Sequence, residues 1–179
     1  MRFRAVICNA NLDKATALRQ HDTMKPRPPA RPPARPPRVA VRALIVHEDR
    51  LLLVNAYRGQ VSDLWCAPGG GVESGGSLPE NLIREVHEET GLTVSVGAPV
   101  LINEFHAPQH GFHQVDIYFR CEITAGVIDD AWRDPEGVVN RRRFLSRAEM
   151  GGIRFKPDSL AHAAWGGEMM YDSLELLVR

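Results

Sequence analysis

Cysteine is scarce in this chain: three residues in 179, Cys8, Cys66 and Cys121, an odd number with no short C-x-x-C spacing. That argues against a disulfide framework and against a zinc knuckle, and a reducing, cytoplasmic setting fits best. Long apolar runs are missing too. None approaches the roughly eighteen residues needed to span a membrane, so no membrane partner is expected. The opening residues, Met1 to Cys8, carry positive charge but far too short an apolar stretch for a secretory signal. Net charge is absent, with 22 Lys and Arg against 22 Asp and Glu, yet the balance is uneven. Residues 1–38 hold nine Lys and Arg against Asp13 and Asp22, a balance of +7 that leaves −7 for the remainder. A basic tail on an acidic domain describes the chain better than neutrality does.

What is present points to a folded domain. A length of 179 residues suggests one domain with a sizeable core. Charged residues at 25% and apolar residues at 44% are ordinary for a globular protein. Ahead of the domain, residues 24–38 are low in complexity and contain seven of the thirteen prolines. Proline has no backbone N–H to donate, so an extended, solvated polyproline II leader is expected over residues 1–38. Its arginines also suit an SH3-like groove or a nucleic-acid backbone, but a disordered leader is the plainer reading. Residues 1–23 match nothing else in the chain, which makes Met24 an alternative start.

The domain is expected to run from Val39 to Arg179. Apolar and β-branched runs at 39–46 and 51–54 flank His47 to Arg50 and predict a hairpin. Residues 55–63 read as a loop, and 64–67 as a short strand stopped by Pro68-Gly69-Gly70-Gly71. Strands are expected at 93–96, 99–106, 113–123 and 138–144, short helices near 146–150 and 157–165, and nothing definite beyond. The elements interleave without a regular βαβ repeat, so the fold class is α/β with a mixed sheet and helices on its faces.

The segment between the glycines and Leu92 carries the chemistry. Ser77-Leu78-Pro79-Glu80 fits a capping box with proline in the first turn, and Gly91 supplies a left-handed stop. In the helix so defined, Leu78, Leu82, Ile83 and Val86 form an apolar arc. Glu85, Glu88 and Glu89, at i, i+3 and i+4, share one side. At about 100° per residue they centre roughly 90° from the middle of that arc, beside the buried face and not opposite it. Like charges so placed repel, by roughly 0.2–0.5 kcal/mol per pair in an isolated helix. A divalent cation that prefers oxygen ligands, Mg²⁺ or Mn²⁺, turns that repulsion into binding.

From Gly70 to Leu92 the chain resembles the Nudix box, G-x5-E-x7-R-E-U-x-E-E-x-G-U with U apolar. Gly70, Arg84, Glu85, Val86, Glu88, Glu89, Gly91 and Leu92 fall on eight of nine specified positions; Gly76 stands where the pattern has its first glutamate. The resemblance implies an α/β/α sandwich and metal-dependent hydrolysis of a pyrophosphate bond in a nucleoside diphosphate linked to another group. It implies Glu85, Glu88 and Glu89 as metal ligands, with a loop carbonyl at Gly69 or Gly70. Arg84 would hold Glu85, and Glu85 is the first candidate for the base. In a later loop, 124–137, Asp129, Asp130, Asp134 and Glu136 are further acids, Glu136 the best placed for catalysis. Gly70 and Gly71 would pass close to substrate. Gly76 is expected to weaken activity, with Glu73 or Glu80 as partial stand-ins.

Outside the box, Arg58 is the preferred phosphate-binding arginine and Arg42 the second choice. Trp65 suits stacking on a base, but packing is the expected role. His106, His110 and His113 have zinc-like spacing in a turn, where a polar loop is the plainer reading. Pro108, sixteen residues past Leu92, resembles the ADP-ribose-hydrolysing branch. ADP-ribose or a similar nucleotide sugar is therefore the first expectation. A nucleoside triphosphate pyrophosphatase of the sanitising type, or a weakened domain acting as a nucleotide-binding regulatory module, are the alternatives. The expected partner is a small nucleotide; a homodimer is compatible with the family, and nucleic acid is not expected.

Overall fold

The computed structural model describes residues 35–55, 57 and 62–177, within a compact unit that runs from Pro32 to Arg179. The leader up to residue 34 and Arg58 lie outside the described residues. Among the described residues, six strands form one mixed sheet: β1 (Arg38–His47), β2 (Arg50–Asn55), β3 (Thr93–Ala107), β4 (Phe112–Ala125), β5 (Arg141–Ser146) and β6 (Met170–Leu176). Their spatial order is β5-β2-β1-β4-β3-β6. The expected hairpin joins β1 to β2, with Glu48 and Asp49 both at positive φ, as a tight two-residue turn requires. β1 pairs parallel with β4, and β3 parallel with β6. Helix α1 (Leu78–Thr90) covers one face of the sheet; α2 (Arg147–Met150) and α3 (Leu160–Trp165) belong to the other. No helix among the described residues is long and apolar enough to cross a membrane.

Alternation along the strands sends successive side chains to opposite faces. Val41, Ala43 and Ile45 of β1 therefore pack with Leu82, Val86 and Phe119 beneath α1. Leu44 joins Leu101, Tyr118 and Leu160 on the α3 side. On α1 the buried line is Leu82, Val86, Glu89 and Thr90, whereas Ile83, expected in the apolar arc, is 36% exposed. Spacings of four and three residues keep the first three of these on one stripe, and Ile83 falls to its side. Burial of Glu89 places a carboxylate on the packed stripe itself, further in than the sequence implied.

Other departures have local causes. The expected strands at 93–96 and 99–106 are one long β3, with register shifts on either side of Pro99, which has no N–H for the ladder. Residues 64–67 make only isolated bridges, Cys66 with Val54 and Trp65 with Phe155. The strand expected at 138–144 begins at Arg141, because Val138 and Val139 donate their N–H groups to Asp134 at 2.8 and 2.7 Å. β6, which the sequence left unread, is an edge strand of mostly exposed residues. Trp65 is buried, with the Arg141 guanidinium 5.2 Å from its ring centroid, so it packs as expected.

Candidate active site

The site begins with the way β1 divides its edge. β2 pairs with the His47 end, while the glycine loop takes the Val39 end. Val41 N–H donates to Gly70 O at 2.9 Å, Ala43 N–H to Pro68 O at 2.8 Å and Val72 N–H to Val39 O at 3.0 Å. The loop is thus laid along β1 by backbone bonds and faces α1. Gly69 has φ +135°, and a Cβ there would stand 2.1 Å from Val41 O, so only glycine serves. At Gly70 a Cβ would meet Glu85 Oε2 at 2.2 Å. The backbone comes this close to the helix acid because it carries no side chain.

α1 is held at both ends. Ser77 caps the N-terminus in a reciprocal box with Glu80. At the other end Gly91 N–H donates to His87 O at 2.8 Å, Trp132 Nε1 to Glu88 O at 2.9 Å, and the Arg142 guanidinium to Glu89 O. Trp132 and Arg142 thereby tie the acidic loop and β5 to the last turn of the helix. Neither stood out in the sequence, because a lone tryptophan in a loop and an arginine in a strand have no local signature.

The three helix carboxylates have different surroundings. Arg84 bridges two of them, with Nη2 2.8 Å from Glu85 Oε1 and Nη1 2.9 Å from Glu88 Oε2, and reaches Glu73 at 3.4 Å. The Arg84–Glu85 bond is the one the resemblance implied. Glu89 accepts from Gly69 N–H at 2.7 Å and is 8% exposed. Burial pushes its carboxyl up to about 8, against the opposing pull of Arg42 and the Gly69 N–H. Burial also raises Glu85, partly offset by Arg84. Both groups hold protons more tightly than an open carboxylate unless a cation stands nearby.

The three helix carboxylates and Glu73 line a cleft of about 550 Å³ with Arg38, Arg42, Asp134 and Glu136. Arg42 donates to Gly69 O and lies 3.6 Å from Asp116. Arg42, the second choice from the sequence, is therefore in the cleft, and so is Arg38, the first residue of β1. Asp134 accepts from the N–H groups of Glu136, Val138 and Val139 and shapes the loop. Glu136 lies on the cleft wall. His113 Nε2 lies 3.0 Å from Glu104 Oε2, and the His106 and His113 rings are 6.4 Å apart on paired strands.

Six carboxylates against two arginines is a donor set of hard oxygens, which fits a hard divalent cation. Among the described residues no three acids are drawn into a closed cluster. Arg84 accounts for the spacing, since its guanidinium stands between Glu85 and Glu88. A cation bound by Glu85, Glu88 and Glu89 has to compete with that arginine for Glu88.

Gly76 is exposed, and a Cβ there would lie 3.0 Å from Asn81 Nδ2. Gly76→Glu would place a carboxylate just ahead of the helix N-terminus, where charge interaction is worth about 0.3–1 kcal/mol. We expect the helix to gain about 0.3–1 kcal/mol, and Mg²⁺ affinity and turnover to rise with the added negative charge. Unchanged values in a metal titration and a rate assay would mean that position 76 has no part in the site.

A model of the NUDIX domain matches residues 36–165. An ADP-ribose pyrophosphatase of Methanocaldococcus jannaschii is 31% identical over 98 residues, 52% of this chain and 57% of that protein. Diphosphoinositol polyphosphate phosphohydrolase 3-beta of Bos taurus is 31% identical over 98 residues, 55% and 56% of the two chains. The chain thus spans a little over half the length of these relatives. Among solved structures, a UDP-X diphosphatase superposes with a TM-score of 0.61 at 23% identity, covering 77% of this chain and 68% of that one, a likeness of fold. With the glycine loop set against an acid-bearing helix and the domain match spanning most of the described chain, the protein belongs to the Nudix family.

Proposed function

We propose that the chain is a Mg²⁺- or Mn²⁺-dependent hydrolase that cleaves the pyrophosphate bond of a nucleoside diphosphate linked to another group, with ADP-ribose as the first substrate to try. The observation that carries this reading is the position of Glu85. It lies against the Gly70 backbone, held by Arg84, on the wall of a cleft that also contains Glu88, Glu89 and two arginines. The M. jannaschii relative, named an ADP-ribose pyrophosphatase, and Pro108 support the choice of substrate.

Each residue has a task that its chemistry allows. Glu85, Glu88 and Glu89, with the Gly70 carbonyl, would hold the cation, and Gly71 would let the phosphate chain pass. When bound, the cation neutralises phosphate oxygens and acidifies water. Arg42 and Arg38 offer guanidinium donors to the phosphates. Glu85 takes the proton from the attacking water, and Arg84 keeps its carboxylate turned toward the cleft. Glu136, on the opposite loop, is the second acid able to accept that proton.

A nucleotide panel with Mg²⁺ and with Mn²⁺ tests the reading. AMP and ribose 5-phosphate from ADP-ribose are expected. A nucleoside monophosphate and pyrophosphate from triphosphates alone would identify the sanitising activity instead. Tight nucleotide binding with no turnover would overturn hydrolysis and leave a binding module.

A further inference from the structure

A second cavity, of about 240 Å³, adjoins the acidic cleft, and Arg38 and Arg42 line both. Strand register builds its floor. Arg38, Ala40 and Arg42 of β1 lie beside Gln114, Asp116 and Tyr118 of β4, and Asp116 lies opposite Asn103 of β3. Parallel and antiparallel partners share a face, so polar side chains from three strands meet on the α3 side. Further along that face the same strands carry Leu44 and Leu101. Asn103, Gln114 and Asp116 are each no more than 2% exposed, where the fold itself has use only for apolar side chains.

Two of the three are satisfied within the protein. Gln114 Oε1 accepts from Arg38 at 3.2 Å, and its Nε2 donates to Asp116 Oδ1 at 2.8 Å. Asn103 is different: its Nδ2 is buried and has no hydrogen-bond partner. A buried donor left unpaired is expensive, and native proteins keep few of them without a reason. Tyr57, Phe105 and Tyr118 supply aromatic surface in the same cavity. Its charge is nearly balanced, with three cations against two carboxylates. Arg42 faces Asp116, and Lys156 Nζ lies 3.0 Å from Glu175. Little positive charge is left to meet further phosphates.

We propose that this cavity is the specificity pocket for an uncharged nucleobase, with Asn103 Nδ2 donating to a ring acceptor and Asp116 accepting a ring N–H. A base carries donors and acceptors along one edge and two flat faces for aromatic contact, which matches the wall. A phosphorylated ring such as a diphosphoinositol polyphosphate does not match, because its charges would meet the buried Asp116 carboxylate, and the remaining cations are few. The inference rests on the reading of the adjoining cleft as a pyrophosphate site, but it is measured separately.

The experiment uses the full chain and its Asn103→Leu variant, with calorimetric titration of AMP, GMP and UMP in EDTA, followed by ADP-ribose turnover with Mg²⁺. The unaltered chain is expected to bind at least one monophosphate, and Asn103→Leu to weaken it tenfold or more. The melting temperature should hold or rise, because leucine removes an orphaned donor; a structural asparagine would lose stability instead. Phe105→Leu, which keeps an apolar side chain and removes an aromatic face, is expected to weaken the same binding and serves if Asn103→Leu fails to fold. Unaltered binding in both variants, or tighter binding of a diphosphoinositol polyphosphate than of any nucleotide, overturns the pocket. Turnover with an unaltered KM in Asn103→Leu would leave the cleft's reading standing while removing this one. Loss of monophosphate binding in a chain that hydrolyses nothing would do the reverse.

Discussion

Glu85→Gln is expected to lower kcat/KM by about 10²–10⁴-fold, the usual worth of a positioned general base. Glutamine matches glutamate in volume and still accepts a bond from Arg84 through its amide oxygen, so the fold should be untouched. What it loses is the charge that, on the proposed reading, would bind a cation and take a proton. Its Oε2 neighbour is the Gly70 backbone, where not even a Cβ fits. Glu136→Gln, on the loop wall, separates the two candidates for the base. If Glu136→Gln costs the larger factor and Glu85→Gln only raises the metal requirement, Glu85 is a ligand and Glu136 the base. A rate series over Mg²⁺ concentration, with circular dichroism to establish folding, reads both outcomes.

The second large effect is one of pH. Burial raises the Glu89 carboxyl from its ordinary 4.5 to about 8 in the folded protein. Between those values the folded chain keeps a proton that the unfolded chain has released. Stability without metal is therefore full below about 4.5 and falls as pH rises through 8. A divalent cation held by Glu89, as proposed, would need the carboxylate and expel that proton, so its affinity should rise toward pH 8, by up to roughly tenfold per pH unit for one proton released. Melting curves with and without MgCl₂ at pH 6 and pH 8 test this, with about 2–4 °C in Tm for each ~1 kcal/mol in a chain of this size. The metal-induced rise should be larger at pH 8, and Glu89→Gln should flatten the difference. Equal rises at both pH values in the unaltered chain would exclude Glu89 as a ligand.

The local part of the site was legible because its signals are local. A capping box, a proline in the first turn and a left-handed glycine each act within four residues, so α1 and both of its caps could be read directly. The hairpin at Glu48 and Asp49 was legible for the same reason. The Arg84–Glu85 contact joins adjacent residues, and the family pattern pointed to it. Beyond that range the sequence loses discrimination. Arg58 and Arg42 look alike as loop or strand arginines, and only Arg42 is among the described residues of the cleft. Asp134 was one acid among four, and its role in ordering the loop depends on three N–H groups that the chain alone does not orient. Strand β6 carries too few buried residues to leave a periodic pattern, and it exists because β3 offers it an edge.

By itself, then, the sequence determined the chemistry of the helix: which carboxylates share a side, which arginine stands beside them and where the glycine loop must be. Those follow from spacing along one element. The tertiary structure decided how deep each acid lies, and depth sets the proton affinity of Glu89. It also decided which distant strands meet: Asn103 and Asp116 are thirteen residues apart in the chain and opposite each other in the sheet. No local rule carries that pairing, because strand register is fixed by long-range packing and by where Pro99 interrupts the ladder.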